Sequence, residues 1–189
     1  MKIQIRLASC LVALAAVFAV RSAEAKIYFQ PRLMYLEETD KSGSGDSTRK
    51  RTLIDAALGY GMDNGLLIGA IYATEKRQWS SSAGGASDAT RTSMGPSVGW
   101  MGSDAVAPYV MGTYYLSSEY VTGSYTYKGT GFQIDLGVNF KVGPGAVGLQ
   151  LSYKKFDYNK YTLSGRDFDL SPADSHGFID PYFAFAFEF

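Results

Sequence analysis

Residues Tyr182 to Phe189 read YFAFAFEF, with Phe183, Phe185, Phe187 and Phe189 on every second position. Successive side chains of a β-strand point to opposite faces, so the four rings share one face, and Tyr182, Ala184, Ala186 and Glu188 share the other. A strand of this kind exposed to water would aggregate, so something must cover the row. The same two-residue period recurs upstream. Over 129–142, Thr130, Phe132, Ile134, Leu136, Val138, Phe140 and Val142 oppose Gly131, Gln133, Asp135, Gly137, Asn139 and Lys141. Near residue 30, Ile27, Phe29, Pro31, Leu33 and Tyr35 oppose Tyr28, Gln30, Arg32 and Met34, and near residue 150, Val147, Leu149, Leu151 and Tyr153 oppose Gly148, Gln150, Ser152 and Lys154.

Tight-turn signals recur about every 40 residues, at Gly61–Gly65, Gly102–Asp104 and Val142–Gly145. Between them lie longer polar stretches rich in loop-favouring residues, roughly 40–48, 78–90, 117–125 and 159–175. Three tight turns and four longer loops imply eight strands, at roughly 27–38, 49–61, 66–77, 91–101, 106–117, 128–142, 146–158 and 176–189. The third and fifth are ambiguous by parity. A tilted strand of about ten to twelve residues crosses an apolar band of about 25 Å. A forty-residue repeat could instead mark propeller blades, but each unit here holds two strands and no shared blade signature.

Alternation alone does not say which face is inside. An eight-stranded barrel has an interior just wide enough for its own side chains. The polar face carries Gly59, Gly61, Gly69, Gly95, Gly99, Gly131, Gly137 and Gly148, whereas the opposite face is expected to carry the bulky aromatics. Small residues therefore belong in the lumen, and lipid covers the phenylalanine row. The expected fold is all-β, an eight-stranded antiparallel up-and-down transmembrane β-barrel, closed last strand to first because hydrocarbon leaves no partner for a free edge. Tyr60, Trp100, Phe140 and Phe187 fall near the tight-turn end, and Tyr35, Tyr72, Tyr114 and Tyr153 near the loop end, as interfacial girdles should.

At the front, Lys2 and Arg6 precede an apolar run that ends at Ala23-Glu24-Ala25, the pattern of a cleaved secretory signal. The run is too short for a comfortable membrane-spanning helix, which needs about 20 apolar residues. The chain thus divides into a signal peptide, 1–25, and a barrel, 26–189. LASC, Leu7 to Cys10, matches the box before a lipidated cysteine but opens the apolar run instead of following it. Without Lys2, Arg6, Arg21 and Glu24, 15 basic and 17 acidic groups remain of 18 each, so no bulk charge draws the mature chain to nucleic acid. Cys10 is the sole cysteine, which leaves the exported part without a disulfide or thiol catalyst. A mean hydropathy of −0.08 suits strands that are apolar on one side.

In this pattern the chain resembles the small eight-stranded bacterial outer-membrane proteins, the group that includes the OmpA membrane domain, OmpX and OmpW. The resemblance rests on the eight alternating segments and on Phe189 preceded by apolar residues at every second position. It implies a place in the bacterial outer membrane, tight turns toward the periplasm and longer loops outside. It also implies that Phe183, Phe185, Phe187 and Phe189 form the signal read by the barrel assembly machinery.

The lumen should hold Gln30, Arg32, Asp55, Gln133, Asp135, Asn139, Gln150, Lys154, Asp180 and Glu188, with Arg32 and Lys154 bonded to some of Asp55, Asp135 and Asp180, because unpaired buried charge is costly. Such a network is a polar plug or, alternatively, the lining of a narrow conduit for small or apolar solutes. Arg49, Lys50, Arg51, Lys76, Arg77 and Lys155 lie at the height of lipopolysaccharide phosphates, which cations bind by charge-assisted bonds. Pro31 and Pro181 fall in the first and last strands, Pro96 and Pro108 in the fourth and fifth; since proline cannot donate to a ladder, these are candidate weak seams. Asp174, Ser175 and His176 supply the residue types of a lipid-A-cleaving triad, but adjacent side chains on a strand diverge. Asp167, Asp169 and Asp174 offer oxygens without the remainder of a calcium loop. The expected role is therefore structural or surface-interacting, with a channel second and an enzyme third. No cofactor or metal is expected; the expected partners are outer-membrane lipid, lipopolysaccharide and the assembly machinery.

Overall fold

A computed structural model of the chain describes residues 26–42, 45–82, 85–143 and 145–189. The segment assigned to the signal peptide lies outside them. Eight strands follow in order: β1 (Lys26–Ser42), β2 (Gly45–Gly61), β3 (Leu66–Ser81), β4 (Ala86–Met101), β5 (Val106–Thr122), β6 (Tyr125–Val142), β7 (Gly145–Leu163) and β8 (Arg166–Glu188). Each pairs antiparallel with its neighbour in sequence, and β8 returns to β1, so the sheet closes as a barrel. The closure reaches the last residue. Ile27 and Phe189 exchange both backbone hydrogen bonds, at 3.0 and 2.9 Å.

The strands outrun the segments read from sequence at the loop end. The stretches read as long loops continue the ladders upward, with Thr122 paired to Tyr125 and Leu163 to Arg166. At the β7–β8 tip, Ser164 and Gly165 have φ of 52° and 79°, the two left-handed residues of a tight hairpin turn whose twist matches its strands. Loop-favouring composition misleads here because Thr and Tyr, which punctuate these stretches, also favour paired strands. The extensions are not perfectly regular. Register shifts occur at Tyr115/Ser118, Lys128/Gly129 and Tyr158/Lys160.

Sidedness follows the parity argument. Arg32 is 1% exposed and Asp135 0%, whereas their outward neighbours Leu33, Leu136 and Phe183 are 47%, 56% and 63% exposed. The apolar belt lies between the two aromatic girdles, whose eight members are all exposed. The lumen is less purely small than expected. Tyr28, Tyr109, Tyr115, Phe156, Tyr158 and Tyr182 are all buried inside it. Glycine makes that possible: a Cβ at Gly131 would stand 2.5 Å from the Phe156 ring across the β6–β7 ladder, so the absent side chain is the space the ring fills. At Gly59 and Gly69, which face each other on β2 and β3, an added Cβ would meet the neighbouring backbone oxygen at 2.2 Å. These two glycines serve strand approach instead of lumen volume.

Candidate functional site: two charged layers in the lumen

Inward parity on all eight strands delivers polar side chains to two heights. The deeper layer centres on Arg32. Its Nη1 donates to Asp135 Oδ2 at 2.6 Å and its Nη2 to Asp55 Oδ2 at 3.1 Å, with all three side chains fully buried. Lys154 Nζ donates to the same Asp55 oxygen at 3.1 Å and also bonds the Tyr182 hydroxyl. Gln133 Nε2 donates to Asp135 Oδ1 at 2.6 Å, Ser152 bonds that oxygen too, and Tyr115 donates to Gln133. Two cations thus face two carboxylates in a layer with no net charge. Below it, Gln30, Asn139 Oδ1 and Gln150 Nε2 are buried without a side-chain partner.

The upper layer lies past the loop-end girdle, three residues beyond Tyr72 on β3. Glu75 gathers three guanidiniums: Arg91 Nη1 at 2.6 Å, Arg77 Nε at 2.5 Å and Arg51 Nε. Arg51 also reaches Asp180, through Nη1 at 2.5 Å and Nη2 at 3.2 Å. Burial would raise the Glu75 carboxyl, but Arg91, Arg77 and Arg51 outweigh it and hold the group at about 2. Arg91 Nε donates to the Tyr158 hydroxyl at 2.7 Å. Its Nη2 lies 3.1 Å from His176 Nδ1, and since arginine only donates, Nδ1 is the acceptor. His176 Nε2 then carries the hydrogen and faces Asp174 Oδ2 at 3.2 Å. Burial and the nearby Arg91 push the His176 pKa below its ordinary value, in keeping with a neutral ring. Phe178 forms a common surface for the layer, with the guanidinium carbons of Arg77, Arg91 and Arg51 at 4.3, 4.7 and 4.8 Å from its centroid. Tyr115 and Phe156, stacked at 5.4 Å, lie between the layers, and Arg91 caps Phe156 at 4.5 Å.

Several side chains sit elsewhere than their height in the sequence suggests. Arg51 and Arg77, grouped with the rim cations, turn inward, because they share the parity of Leu53 and Asp55 on β2 and of Ala73 and Glu75 on β3. Arg49 shares the Arg51 parity and is paired loosely with Asp40 at 3.9 Å. On the outward parity, Lys50 pairs with Glu37 at 3.3 Å and Lys155 with Asp157 at 3.6 Å, while Lys76 is exposed. Glu188, expected in the lumen, is exposed at the terminal end, where the last pairs of β8 leave it uncovered. Glu75, Arg91, Tyr158 and Phe178 were missed as a group. The signal was available in the β3 parity, where Glu75 falls in step with Ile71 and Ala73.

The β1–β8 ladder runs from Tyr28↔Glu188 to Leu33↔Phe183, and among the described residues no register pair joins these strands farther toward the loop end. Pro31 falls inside this ladder and Pro181 just beyond it. The gap is spanned from within, by Arg51 of β2 on Asp180 of β8 and by Arg32 over the Tyr182 ring at 5.3 Å. Pro96 lies in a register shift between Met94 and Ser97, whereas Pro108 faces Val138 and accepts a hydrogen bond from Gly102 N at 2.9 Å. Ser175 donates to Asp157 at 2.5 Å on the face opposite His176, so Asp174, Ser175 and His176 do not assemble as a triad. Asp167 is bonded by Lys128 and Thr162, and Asp169 lies opposite Lys160. Among the described residues no cluster of three metal-ligating groups forms.

No protein-family model and no curated protein sequence matches the chain. Solved structures do. The outer membrane protein OprG from Pseudomonas aeruginosa aligns at 10% identity over 87% of this chain and 96% of its own, with a TM-score of 0.51. Neisserial surface protein A aligns at 15% identity over 86% and 97%, with a TM-score of 0.45. With its eight-stranded up-and-down ring, its apolar belt and its charged interior, the chain has the fold of the small outer-membrane β-barrels.

Proposed function

We propose that the chain serves the outer membrane as a sealed barrel, a structural and surface-interacting element whose lumen is plugged. The observation that carries this reading is Arg32, fully buried between Asp55 and Asp135. Moving that guanidinium to open a path would strand two carboxylates in a low-dielectric interior. The cavity above it, beside Asp55, Glu75, Arg91 and Lys154, measures about 10 Å³, room for one water at most. In planar bilayers the folded protein is expected to show no steady ion conductance. A stable open level in the unmodified protein would overturn the plug and favour the second reading, a narrow channel. That reading draws on the unclosed hydrogen bonding of Gln30, Asn139 and Gln150 beneath the plug.

The outward cations Lys50, Lys76 and Lys155 supply charge above the girdle for lipopolysaccharide phosphates, and the Phe183–Phe189 row supplies the strand read by the assembly machinery. Export by a signal peptide cleaved after Ala25 predicts a mature chain beginning at Lys26, which N-terminal sequencing of the membrane-inserted protein checks. The roles proposed here involve no bond-making step.

A further inference from the structure

Above the upper charged layer the extended strands border an open-mouthed cavity of about 380 Å³, within the range of small-molecule sites. Its walls combine the guanidinium side chains of Arg49, Arg51 and Arg77 with the rings of Trp79, Tyr120 and Phe178. We propose that this vestibule binds a small organic anion with a planar apolar body, such as an aromatic carboxylate, taken from the outside medium.

Three observations carry the assignment. First, the charge beneath the cavity does not balance at contact range: Arg51, Arg77 and Arg91 have only Glu75 and Asp180 as direct carboxylate partners, and Asp174, half exposed, is reached only through the His176 ring. One more negative group completes the cluster. Second, Arg77 is the least engaged of the three. Its Nε holds Glu75, but its Nη2 is buried without a partner. With a side chain 30% exposed in the cavity wall, such a guanidinium gains a charge-assisted bond by turning that unused donor toward a carboxylate. Third, the aromatic walls select for more than charge. Trp79 is 48% exposed although it lies on the inward parity of β3 with Arg77, so its ring presents a face to the cavity. A bare inorganic anion would leave those rings wet. Glu38 also lines the cavity, opposite Arg49 in register, while Arg49 itself pairs with Asp40 at 3.9 Å; Glu38 is the one carboxylate in a wall that also holds Arg49, Lys50, Arg51 and Arg77, so the cations outnumber it.

The test uses the two tryptophans. Trp79 stands in the vestibule, and Trp100 in the girdle at the other end, its indole donating to Asn64 O at 3.0 Å. The full barrel folded in zwitterionic micelles, carrying Trp100→Phe, is titrated with 4-nitrobenzoate, an aromatic anion that quenches indole. The expected result is saturable quenching, with neutral 4-nitrobenzyl alcohol and competing inorganic phosphate each binding about ten-fold more weakly, as loss of one charge-assisted contact or of the stacking surface implies. Trp79→Phe, which leaves only Trp100, reports partition into the micelle and should show no saturation. Arg77→Gln should weaken binding about ten-fold while circular dichroism and heat-dependent gel migration remain those of a folded barrel. Should Arg77→Gln fail to fold, Arg49→Gln takes its place, with a loss of about three-fold expected for a more exposed partner. The proposal is overturned by unsaturable quenching, by equal binding of the neutral analogue, by phosphate competing as well as nitrobenzoate, or by a folded arginine variant that binds unchanged.

Discussion

The two charged layers of the lumen are made of the same residue types and behave as opposites. Around Arg32, two cations meet two carboxylates, all buried; Arg32 and Lys154 share Asp55 Oδ2, Gln133 and Ser152 close Asp135 Oδ1, and of the four carboxylate oxygens only Asp55 Oδ1 has no partner. Around Glu75, three guanidiniums meet two carboxylates beneath an open cavity, and the outermost, Arg77, has a side chain 30% exposed. The difference lies in depth. Within the membrane belt the barrel wall excludes water from every side, so a charge there must find its partner inside the protein. Above the girdle, solvent screens an unbalanced cation, and a surplus is tolerated. A tolerated surplus is available for binding, whereas a balanced buried layer holds shape.

Substitutions should separate the layers in order of effect. Arg32→Ala leaves Asp55 and Asp135 without their shared cation and should destabilise the barrel by about 3–5 kcal/mol in urea unfolding from lipid vesicles. If that variant were near neutral, the deep layer would not be the sealed element described above. Glu75→Gln removes the anion that three arginines share and should cost about 1.5–3 kcal/mol. The same group sets a pH dependence. Its folded pKa, about 2, lies below the unfolded value, so its contribution is complete above about pH 4.5 and disappears as pH falls toward 2. Unfolding titrations across that window should show a smaller acid loss in Glu75→Gln than in the parent. Gly131→Val drives a branched side chain toward the Phe156 ring between the layers and should cost about 1–3 kcal/mol. Arg77→Gln should change stability by less than about 1 kcal/mol, since its one ion-pair partner, Glu75, and the Phe178 ring it covers both retain Arg51 and Arg91. A large loss there would erase the distinction between a structural and a tolerant layer.

Legibility in the sequence followed the same division. The deep layer could be read by parity because β1, β6 and β7 alternate strictly within the belt: Arg32, Gln133, Asp135, Gln150 and Lys154 fall opposite unbroken apolar rows. The upper layer was harder to read. Arg51 and Arg77 sit beside Lys50 and Lys76 in the chain, and outside the belt both faces of a strand are polar, so hydropathy no longer marks which side is inward. Register shifts add to this, since Tyr115/Ser118 and Tyr158/Lys160 each change the phase that would carry parity upward. Ser164-Gly165 is a hairpin turn in plain view, yet the polar stretch around it reads as loop.

The sequence by itself determined the strand number, the up-and-down order and the outward phenylalanine row, because hydrocarbon imposes one rule, greasy side out, on every strand that crosses it. Only the tertiary structure decided which cations share Glu75, how far the hairpins continue above the belt and that a cavity opens over Phe178. Those outcomes depend on register between strands distant in the chain, where contacts across the barrel, and not the periodicity of any one strand, set which side chains meet.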